Sequence, residues 1–509
     1  MCALSALVAA LALASPPRAA AAPHMISVLQ DDNELIYSGS ARREHALERA
    51  RAFGADAIRV TVLWETLAPR RKPGGRSSPA AYSARDWDRY DELIRGAERR
   101  GLKVYFNVTG PGPRWGHRRA PSRRLRRTWK PRPSEFGRFV TAVGRRYSGR
   151  YSDENFGGKT LPRVRWWSIS NEPNWPGWLT PQFTRTRRGT VPASPALYRD
   201  LLNAGARALL RTGHGDDLLL FGETAALGAR GKPADRAMPP ARFLRELFCL
   251  KSNFRRHRGR AARDRRCGNV GKLEILDRFP RLAYGHHPYT RKKAPTLRER
   301  RRDAITIANL GRLPKLLDRL ARATEAFRSG MPIFLTEFGY ETKPPDPFRG
   351  LPFATQAAYI NQADYLAFRQ PRIVSTTQFL INDDRPDTRA RRGTRKYWLT
   401  FQTGLFTASG QAKPALDAYL LPFDIRRSGG SLRAWGQLRF TKNGAPQLVA
   451  IQFRPAGGSN WRTVANQRVT NSVGMFEATV PDIGGASWRA LWTSPDGAER
   501  RSSRITVPR

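Results

Sequence analysis

Residues 166–174 read Trp-Trp-Ser-Ile-Ser-Asn-Glu-Pro-Asn, and residues 332–340 read Pro-Ile-Phe-Leu-Thr-Glu-Phe-Gly-Tyr. Each stretch predicts a buried β-strand that ends on a glutamate, Glu172 in the first and Glu337 in the second. A carboxylate that directly follows an apolar strand is costly to bury unless it has a partner or a task. The two glutamates are therefore the first candidates for functional residues, and their strands anchor the fold assignment.

Strand-like apolar runs alternate with helical patterns from residue 26 to residue 422. Eight strands are predicted: Ile26–Leu29, Ala57–Leu63, Lys103–Val108, Arg165–Ser170, Leu218–Gly222, Leu282–Gly285, Ile333–Thr336 and Ile373–Phe379. The predicted helices include His45–Phe53, Trp87–Arg100, Ser134–Tyr147, Pro195–Arg211, Arg312–Phe327 and Thr355–Phe368. Eight strand-helix units predict a closed (β/α)8 barrel. An open doubly wound sheet is the alternative, but it requires a glycine-rich phosphate-binding turn after the first strand, which this sequence lacks.

The pattern changes after Leu421. Pro422–Asp424 leads into Arg427–Gly430, which we interpret as a linker. Short alternating runs follow it: Leu432–Phe440, Gln447–Arg454, Trp461–Val469, Gly474–Val480, Ser487–Trp492 and Arg504–Val507. Such runs, separated by Gly, Pro and Asn turns, are typical of a β-sandwich. We therefore predict an α/β chain with a TIM barrel over residues 26–422 and a small all-β accessory domain, without catalytic residues, over residues 423–509.

The composition fits two or three domains, with 509 residues of which 40% are hydrophobic. The formal net charge of +48 indicates either a surface that binds polyanions or solvated arginine faces. No zinc-ligand spacing, RNA-recognition motif or single continuous basic arm accompanies this charge, so we do not expect a specific nucleic-acid partner. Nothing in the sequence indicates an oligomeric state.

Residues 1–22 predict a secretory signal peptide, and hence an extracellular protein. Ala3–Ala14 is an apolar run too short to span a membrane, and Ala19–Ala22 offers small-residue cleavage sites, although the usual basic n-region is missing. No other segment of the sequence is long and apolar enough to predict a membrane span.

The mature chain would keep two cysteines, Cys249 and Cys267. In an oxidising compartment this even count predicts one disulfide, which would staple the long segment between strands 5 and 6. Two free buried thiols are the alternative, because free cysteine is commonly buried.

Glycosidic bond cleavage requires two carboxyl groups, one as general acid and the other as nucleophile or base. In a (β/α)8 barrel catalytic groups lie at the C-terminal ends of strands, where Glu172 would end strand 4 and Glu337 strand 7. Asn171-Glu172-Pro173 and Thr336-Glu337-Phe338-Gly339 resemble motifs of the retaining glycoside hydrolases of clan A, a group of cellulase-like, xylosidase-like and arabinofuranosidase-like enzymes. The resemblance covers about residues 26–422 and implies that Glu172 is the acid/base and Glu337 the nucleophile.

The same resemblance implies roles for two further residues of the barrel. Arg59 lies within an apolar strand and would sit near Glu337, keeping that carboxylate ionised. The alternative is that Arg59 points outward, between strand and helix. Asn171 would hydrogen-bond the 2-hydroxyl of the sugar, a contact that strengthens in the transition state.

Strand 6 ends in Tyr-Gly-His-His-Pro-Tyr, residues 284–289. The spacing of His287 and Tyr289 resembles the clan's pattern, in which this pair supports the acid/base and the nucleophile. His286 is the alternative functional histidine. The sequence shows no histidine-rich cluster with ligand spacing, and clan chemistry needs only water, so neither a metal nor a cofactor is expected.

Aromatic side chains follow the predicted strand ends and could stack on the flat C–H faces of sugars: Trp64, Trp115, Trp175 and Trp178. Of these, Trp64 and Trp175 are favoured as walls of a sugar subsite, with core packing as the alternative. Many clan members carry a Trp at the end of strand 8, where this chain has Gln378 and Phe379. Either residue is a candidate for that position.

These observations favour a secreted retaining O-glycoside hydrolase that acts on a poly- or oligosaccharide. The alternative is a non-catalytic carbohydrate- or envelope-binding protein built on a barrel scaffold. Four basic clusters follow predicted strands and suggest an anionic glycan as substrate: Arg114–Arg132, Arg255–Arg266, Arg291–Arg302 and Arg385–Lys396. Arginines that are simply solvated remain the alternative explanation for this charge.

Overall fold

The computed structural model describes residues 25–187, 189–229, 231–439 and 445–507. The predicted signal peptide, residues 1–22, lies outside the described residues. Among the described residues, no helix combines the length and the apolar character needed to cross a membrane.

Eight parallel strands form a closed barrel, as the alternation of strands and helices predicts. They are β1 (Ile26–Gln30), β2 (Ala57–Leu63), β3 (Lys103–Thr109), β4 (Trp166–Ile169), β5 (Leu218–Ala225), β6 (Leu282–His287), β7 (Ile333–Phe338) and β8 (Ile373–Phe379). The strands pair in chain order, and β1 closes the barrel by pairing with β8 from Ile26↔Ser375 to Gln30↔Phe379. Strands β5, β6 and β7 extend two or three residues beyond their predicted ends, and these extensions carry much of the candidate site.

Helices surround the barrel. They are α1 (Ser40–Ala52), α2 (Trp64–Leu67), α3 (Ala84–Arg99), α4 (Pro133–Arg146), α5 (Ser194–Arg211), α6 (Pro240–Leu247), α7 (Gly259–Asp264), α8 (Arg312–Thr324), α9 (Phe353–Phe368) and α10 (Pro414–Leu420). A π-helical turn covers Asn33–Tyr37, 3-10 turns cover Pro79–Ala81, Arg114–Gly116, Arg123–Leu125, Pro233–Asp235, Cys267–Arg278 and Ile307–Asn309, and a small hairpin pairs Phe183–Thr186 with Gly189–Pro192. Helix α3 shows why these segments form helices here: Trp87, Tyr90, Ile94 and Ala97 recur at helical spacing and are all buried.

The interior of the barrel is layered, and the layers follow from the two-residue period of its strands. An apolar layer includes Val28, Ala57, Tyr105, Trp166, Ala283 and Phe334. Side chains two residues further along the same strands point to the same side. Those positions hold Gln30, Arg59, Asn107, Ser168, Gly285 and Thr336. A polar layer therefore lies on an apolar one, toward the C-terminal ends of the strands.

The C-terminal residues form the predicted β-sandwich. Its strands are β9 (Phe423–Ser428), β10 (Ser431–Gln437), β11 (Gln447–Arg454), β12 (Arg462–Val469), β13 (Met475–Pro481), β14 (Ser487–Thr493), β15 (Glu499–Arg501) and β16 (Ile505–Thr506). One sheet has the order β9-β10-β13, and the other has the order β12-β11-β14-β15 with β16 also pairing with β14. The buried core associated with these sheets includes Trp488 and Trp492.

The segment Arg427–Gly430 is not the linker that its composition suggested. Phe423–Ser428 is already strand β9, and Gly429 and Gly430 form the two-residue turn into β10. Both glycines have positive φ, +54° and +77°, as a tight hairpin turn of this kind requires. The paired glycines therefore serve the geometry of a turn rather than a flexible connection.

The sandwich packs directly on helix α9 of the barrel. Trp435 is buried, and its ring centroid lies 5.2 Å from that of Phe368. Beside this contact, Arg439 Nη2 donates a hydrogen bond to Asp364 Oδ2 at 2.8 Å, and both side chains are buried. The two domains therefore share an apolar contact and a buried ion pair.

A disulfide joins Cys249 and Cys267, as the even cysteine count predicts. The two cysteines are 18 residues apart, between β5 and β6. Closing a loop of this size contributes about 3 kcal/mol to stability in the chain-entropy description. The disulfide thus fastens an arginine-rich segment that has few apolar residues of its own.

Replacing Arg439 with methionine should destabilise the chain by about 3 kcal/mol, because the carboxylate of Asp364 would stay buried without its cation. Burial already raises the pKa of Asp364 and Arg439 opposes that rise, so the variant should take up a proton at higher pH than the wild type does. Denaturant unfolding near neutral pH measures the loss.

The double variant Arg439→Met/Asp364→Asn is the matched control. It removes both charges and should recover a large part of the lost stability. A double variant as unstable as Arg439→Met alone would contradict the electrostatic explanation and leave only lost packing.

Candidate active site

Arg59 lies at the centre of the polar layer and is fully buried, with 0% of its side chain exposed. Its Nη1 donates to Glu337 Oε1 at 3.0 Å and to Gln30 Oε1 at 2.5 Å. Its Nη2 donates to Asn171 Oδ1 at 2.8 Å and lies 3.2 Å from Glu223 Oε2. A buried guanidinium needs such partners to offset the loss of water. The inward orientation of Arg59 rules out the alternative in which it points between strand and helix.

Glu172 lies in the turn after β4, Glu337 is the second-last residue of β7, and their carboxylates meet over the polar layer. One oxygen of each carboxylate and one nitrogen of His287 lie within 4.8 Å of one another. The two glutamate side chains are 15% and 12% exposed, so both reach the cleft. Glu172 also has φ +36°, a left-handed conformation that residues other than glycine rarely adopt.

A third carboxylate, that of Glu223 on β5, belongs to the same cluster and was not among the residues predicted from the sequence. It is 0% exposed. Its Oε2 accepts a hydrogen bond from Thr336 Oγ1 at 2.6 Å and lies 2.9 Å from His287 Nε2, while the hydroxyl of Tyr105 donates to its Oε1. Glu223 is therefore a buried anion that binds several donors and has no access to the cleft.

Shifts in strand register determine the direction of two of the three carboxylates, those of Glu223 and Glu337. The pairing of β5 with β6 shifts between Phe221 and Thr224, so one extra residue of β5 fits into the register there. The pairing of β7 with β8 has a similar shift over the segment that contains Glu337. A bulge of this kind turns a side chain away from the face that strict alternation would give it. Glu223 and Glu337 both point inward as a result.

Glycine is required at position 222, next to the bulge of β5. Its φ is +99°, and a Cβ atom there would collide with the ring of Tyr284. The apolar run that ends in Gly222 and Glu223 repeats the pattern of a strand ending on a carboxylate. That repetition is the sequence signal that could have identified Glu223.

His287 connects the carboxylates. Its Nδ1 lies 2.9 Å from Glu172 Oε1 and 3.5 Å from Glu337 Oε2, and its Nε2 lies 2.9 Å from Glu223 Oε2. Burial lowers the pKa of His287, but the surrounding carboxylates outweigh burial and raise it to about 10. His287 is therefore an imidazolium at neutral pH, and each of its N–H groups faces a carboxylate.

His286 is placed differently, although it is adjacent in sequence. Its Nε2 lies 2.9 Å from the carbonyl oxygen of Ile305 and its Nδ1 lies 2.9 Å from Thr224 Oγ1. Burial lowers its pKa to about 3, so it is neutral. The structure therefore places His287, not His286, against the two glutamates of the cleft.

Tyr289 and Asn171 complete the surroundings of the carboxylates. The hydroxyl of Tyr289 donates to Glu337 Oε2 at 3.3 Å. The backbone N–H of Asn171 donates to Thr109 Oγ1 at 2.8 Å, which fixes the start of the turn that carries Glu172. The predicted residues Arg59, Asn171, Glu172, His287, Tyr289 and Glu337 thus lie together in one site.

The number of positive and negative groups in the cluster determines how many protons it holds when it is neutral. Arg59 and the His287 imidazolium supply two positive charges, against three carboxyl groups. Burial raises the pKa of Glu223, but Arg59 and His287 outweigh it and lower that pKa below its ordinary value. Glu223 is therefore ionised, and the cluster is neutral when one of the other two carboxyls holds a proton.

Arg59 lies beside Glu337 and lowers the pKa of its carboxyl, but several other groups act on the same carboxyl. Burial raises the pKa of Glu337, His287 and Arg59 lower it, and the carboxylates of Glu172 and Glu223 raise it again. The net direction is upward, because burial and the two neighbouring carboxylates outweigh His287 and Arg59.

One possible ligand atom from each of Glu172, His287 and Glu337 lies within 4.8 Å of the other two, so a metal ion has to be considered at this position. A histidine that binds a metal must be neutral. His287 instead has both nitrogens beside carboxylates that favour its protonated form. This set of donors therefore suits a cluster that shares protons better than it suits a cation.

Trp64, predicted as a wall of the sugar subsite, lies in the core instead. Its side chain is 1% exposed, and its ring centroid lies 5.6 Å from that of Phe136 and 5.9 Å from that of Phe139, both on α4. Neither face of the indole is free for a sugar. Trp175 is half-buried, and its backbone N–H donates to the carbonyl oxygen of Glu172 at 2.8 Å, so its side chain remains a candidate wall.

Gln378 does not occupy the position of the missing strand-8 tryptophan. Its Nε2 donates to the carbonyl oxygens of Phe379 and Thr403 at 2.9 and 2.8 Å, which ties β8 to a later loop. Phe379 is half-buried, with its ring 5.3 Å from that of Phe401, which is 44% exposed. This aromatic pair is the better candidate.

Three of the four basic clusters lie in loops that directly follow strands β3, β6 and β8. The fourth, Arg255–Arg266, does not lie at the C-terminal ends of the strands, because helix α6 intervenes between β5 and the cluster. Its Arg265 and Arg266 bind Glu246 on α6 and Asp200 on α5. This cluster is part of the helical layer.

No protein-family model and no curated protein matches the chain. Solved structures with a similar course of the chain include a glucosidase from Croceicoccus marinus, with 11% identity, a TM-score of 0.42, and coverage of 86% of this chain and 88% of that one. A GH5_18 protein from Streptomyces cattleya in complex with GlcNAc has 16% identity, a TM-score of 0.47 and 79% coverage of each chain. A GH30 endoxylanase from Clostridium papyrosolvens C71 has 11% identity, a TM-score of 0.44, and coverage of 91% and 95%. Values this low carry no argument about activity, which therefore depends on the geometry of the site.

Replacing Glu223 with glutamine should lower the pKa of His287 by at least about one unit, because a buried anion 2.9 Å from Nε2 is lost. NMR titration of the imidazole measures this. In the wild type, the His287 signals should stay those of an imidazolium from about pH 5 to about pH 8.

His286 provides an internal control, since its pKa of about 3 should keep it neutral over the same range in both proteins. A His287 that titrates near its ordinary pKa of about 6.5 in the wild type would contradict the proposed charge distribution.

Proposed function

We propose that this protein is a retaining O-glycoside hydrolase that acts on a poly- or oligosaccharide. The observation that carries the proposal is the approach of Glu172 and Glu337, with carboxylate oxygens within 4.8 Å, at the C-terminal ends of two barrel strands. Retaining enzymes hold their two carboxyls roughly 5 Å apart, whereas inverting enzymes leave about 6.5–9.5 Å for a water molecule. The observed spacing fits the retaining reaction.

In the proposed first step, Glu172 donates its proton to the glycosidic oxygen while a Glu337 oxygen attacks the anomeric carbon. The bond from that carbon to the leaving oxygen breaks, and a covalent glycosyl-enzyme forms. In the second step, Glu172 removes a proton from water, and the water oxygen displaces Glu337 from the anomeric carbon. The sugar leaves with its original configuration, and both carboxyls return to their starting states.

The hydrogen bonds of the cluster support this division of roles. Glu337 accepts from Arg59 and Tyr289, donors that suit an ionised nucleophile. Glu172 shares His287 with the fully buried Glu223. As Glu172 loses its proton in the first step, the nearby imidazolium would stabilise the carboxylate that forms.

The pH dependence follows from the raised pKa of Glu337. The nucleophile must be ionised to attack, so activity should fall on the acid side as Glu337 takes up a proton. Because burial and neighbouring carboxylates raise its pKa, this acid limb should lie above the ordinary glutamate value of about 4.3.

Asn171 and Trp175 are proposed to contact the sugar. Arg59 holds the Asn171 Oδ1 at 2.8 Å, which leaves the amide nitrogen to donate to a sugar hydroxyl. Trp175 lies in the turn directly after Glu172 and would offer a flat face next to the acid.

We further propose that the protein is secreted. The disulfide between Cys249 and Cys267 supports this location, because such bonds persist in oxidising compartments. The apolar, alanine-rich sequence of residues 1–22 is the other supporting feature.

A carbohydrate-binding protein without catalysis is the competing function. Binding a carbohydrate without cleaving it does not require three carboxyl groups around a buried guanidinium. Removing these charges from water costs free energy. A pair of partly exposed glutamates that share one proton over a cleft is instead what bond cleavage requires.

Alanine at Glu172 and at Glu337 should produce opposite responses to azide on a panel of aryl glycosides. Glu172→Ala should keep turnover of substrates with good leaving groups and lose about 10²–10⁴-fold on poor ones. Added azide should restore its rate and yield a glycosyl azide of retained configuration. Glu337→Ala should lose turnover, and azide should yield the inverted product.

Glu274→Ala is the control, because Glu274 is exposed and lies outside the barrel. Wild-type turnover in Glu337→Ala, or no hydrolysis of any glycoside by the wild type, would contradict the proposal.

A further inference from the structure

An open pocket of about 410 Å³ lies between the loops that follow β2 and β3. Lys72, Trp115, Arg118, Arg132 and Glu135 are among the residues that line it. Both loops leave the C-terminal ends of barrel strands, so the pocket lies on the same rim as the candidate active site.

Positive charge in this pocket exceeds what its acidic residue can balance. The loop 114–132 contains nine Arg and Lys residues and no Asp or Glu. Glu135 is already shared by Lys72 at 3.0 Å, Arg76 at 2.7 Å and Arg138 at 3.1 Å. In the part of the chain that the structure describes, neither Arg118 nor Arg132 makes an ion pair. Arg132 Nε donates to the carbonyl oxygen of His117 at 3.3 Å, which leaves the two Nη groups of Arg132 and the exposed guanidinium of Arg118 available to an anion.

Backbone pairing holds Arg118 and Arg132 in place. The N–H of Arg118 donates to the carbonyl oxygen of Lys130 at 3.2 Å, and the N–H of Arg132 donates to that of Gly116 at 2.8 Å. The two arginines therefore come from neighbouring, antiparallel segments of one pinned loop. A ligand that binds both of them would lose little loop entropy in doing so.

Trp115 adds an apolar surface to the same pocket. Its Nε1 donates to the carbonyl oxygen of Pro69 at 3.0 Å, and its ring packs edge-on against Trp64 at 5.9 Å. The ring is thereby fixed, yet the side chain is only half-buried. A fixed aromatic face beside cationic groups suits a sugar ring that carries an anionic substituent.

We propose that this pocket is a subsite for an acidic sugar unit, bearing a carboxylate or a sulfate, of the glycan that the active site cleaves. The sugar ring would stack on Trp115. Arg118 and Arg132 would bind the anionic group through paired N–H donors, with Lys72 as a further positive charge. This assignment rests on the proposed glycosidase function, because the same chain of sugars would have to reach from the pocket to the two glutamates.

Titration calorimetry on the full chain tests the subsite without depending on turnover. The protein carries Glu337→Gln to prevent cleavage. The ligand pairs are a galacturonic acid hexasaccharide with its fully methyl-esterified form, and a sulfated cellohexaose with cellohexaose. The charged member of at least one pair should bind about tenfold or more tightly than its neutral partner.

Arg118→Gln/Arg132→Gln should abolish this preference while leaving the neutral ligands unaffected. Arg462→Gln/Arg468→Gln is the matched control, since it removes two exposed arginines from strand β12 of the sandwich. The control should keep the preference. The pair of ligands that responds identifies the carboxylate or the sulfate as the group bound.

Equal binding of charged and neutral ligands in both pairs would overturn the proposal. An equal loss of preference in the two double variants would also overturn it, because diffuse positive charge would then be the cause. The preference for charged ligands could be lost only in Arg118→Gln/Arg132→Gln while the chain with its native Glu337 hydrolyses no glycoside. That result would support the subsite and contradict the catalytic function.

Discussion

The candidate site depends on the burial of one positive charge, the guanidinium of Arg59. Taken out of water in the middle of the barrel, this charge must be matched by acceptors from several strands at once. It binds Gln30 on β1, Asn171 after β4, Glu223 on β5 and Glu337 on β7. The geometry of the site therefore depends on the register of the barrel strands.

Protons are shared within this cluster rather than belonging to single residues. Glu223 is fully buried and holds His287 as an imidazolium, and that cation in turn faces both glutamates of the cleft. With two cations and three carboxyls, one proton must reside on Glu172 or Glu337 for the cluster to be neutral. A double displacement uses that proton on the acid and leaves the other carboxyl ionised.

The sequence predicted the barrel and much of the site because those features are local. Apolar runs that end on Glu172 and Glu337, and an arginine inside an apolar strand, are readable residue by residue. Side chains alternate between the two faces of a strand, so this period also predicts which residues point into the barrel. From Ala283, a period of two places His287 inward and His286 outward. Trp64 begins helix α2, directly after the end of β2, and its ring packs on α4, so its place in the core follows from that helix and not from the strand period.

Other features of the site were beyond that reasoning. Strict alternation along β5 turns Glu223 outward, and only the bulge at Gly222 brings it into the barrel. The net direction of the pKa of Glu337 depends on its burial and on the balance between two nearby cations and two nearby carboxylates, which no linear pattern encodes. The glycines at 429 and 430 resemble a linker in composition, yet their role is fixed by strand pairing across them.

Trapping of the glycosyl-enzyme is the sharpest test of Glu337 as the covalent nucleophile. An aryl glycoside that the protein hydrolyses is replaced by its 2-deoxy-2-fluoro analogue with a good leaving group, which slows the second displacement more than the first. Mass spectrometry of the intact protein and of its peptides then locates the label. If Glu337 is the nucleophile, we expect one sugar per chain, bound to Glu337 and absent from Glu337→Gln. A label on another residue, or hydrolysis with inversion and no covalent adduct, would contradict it.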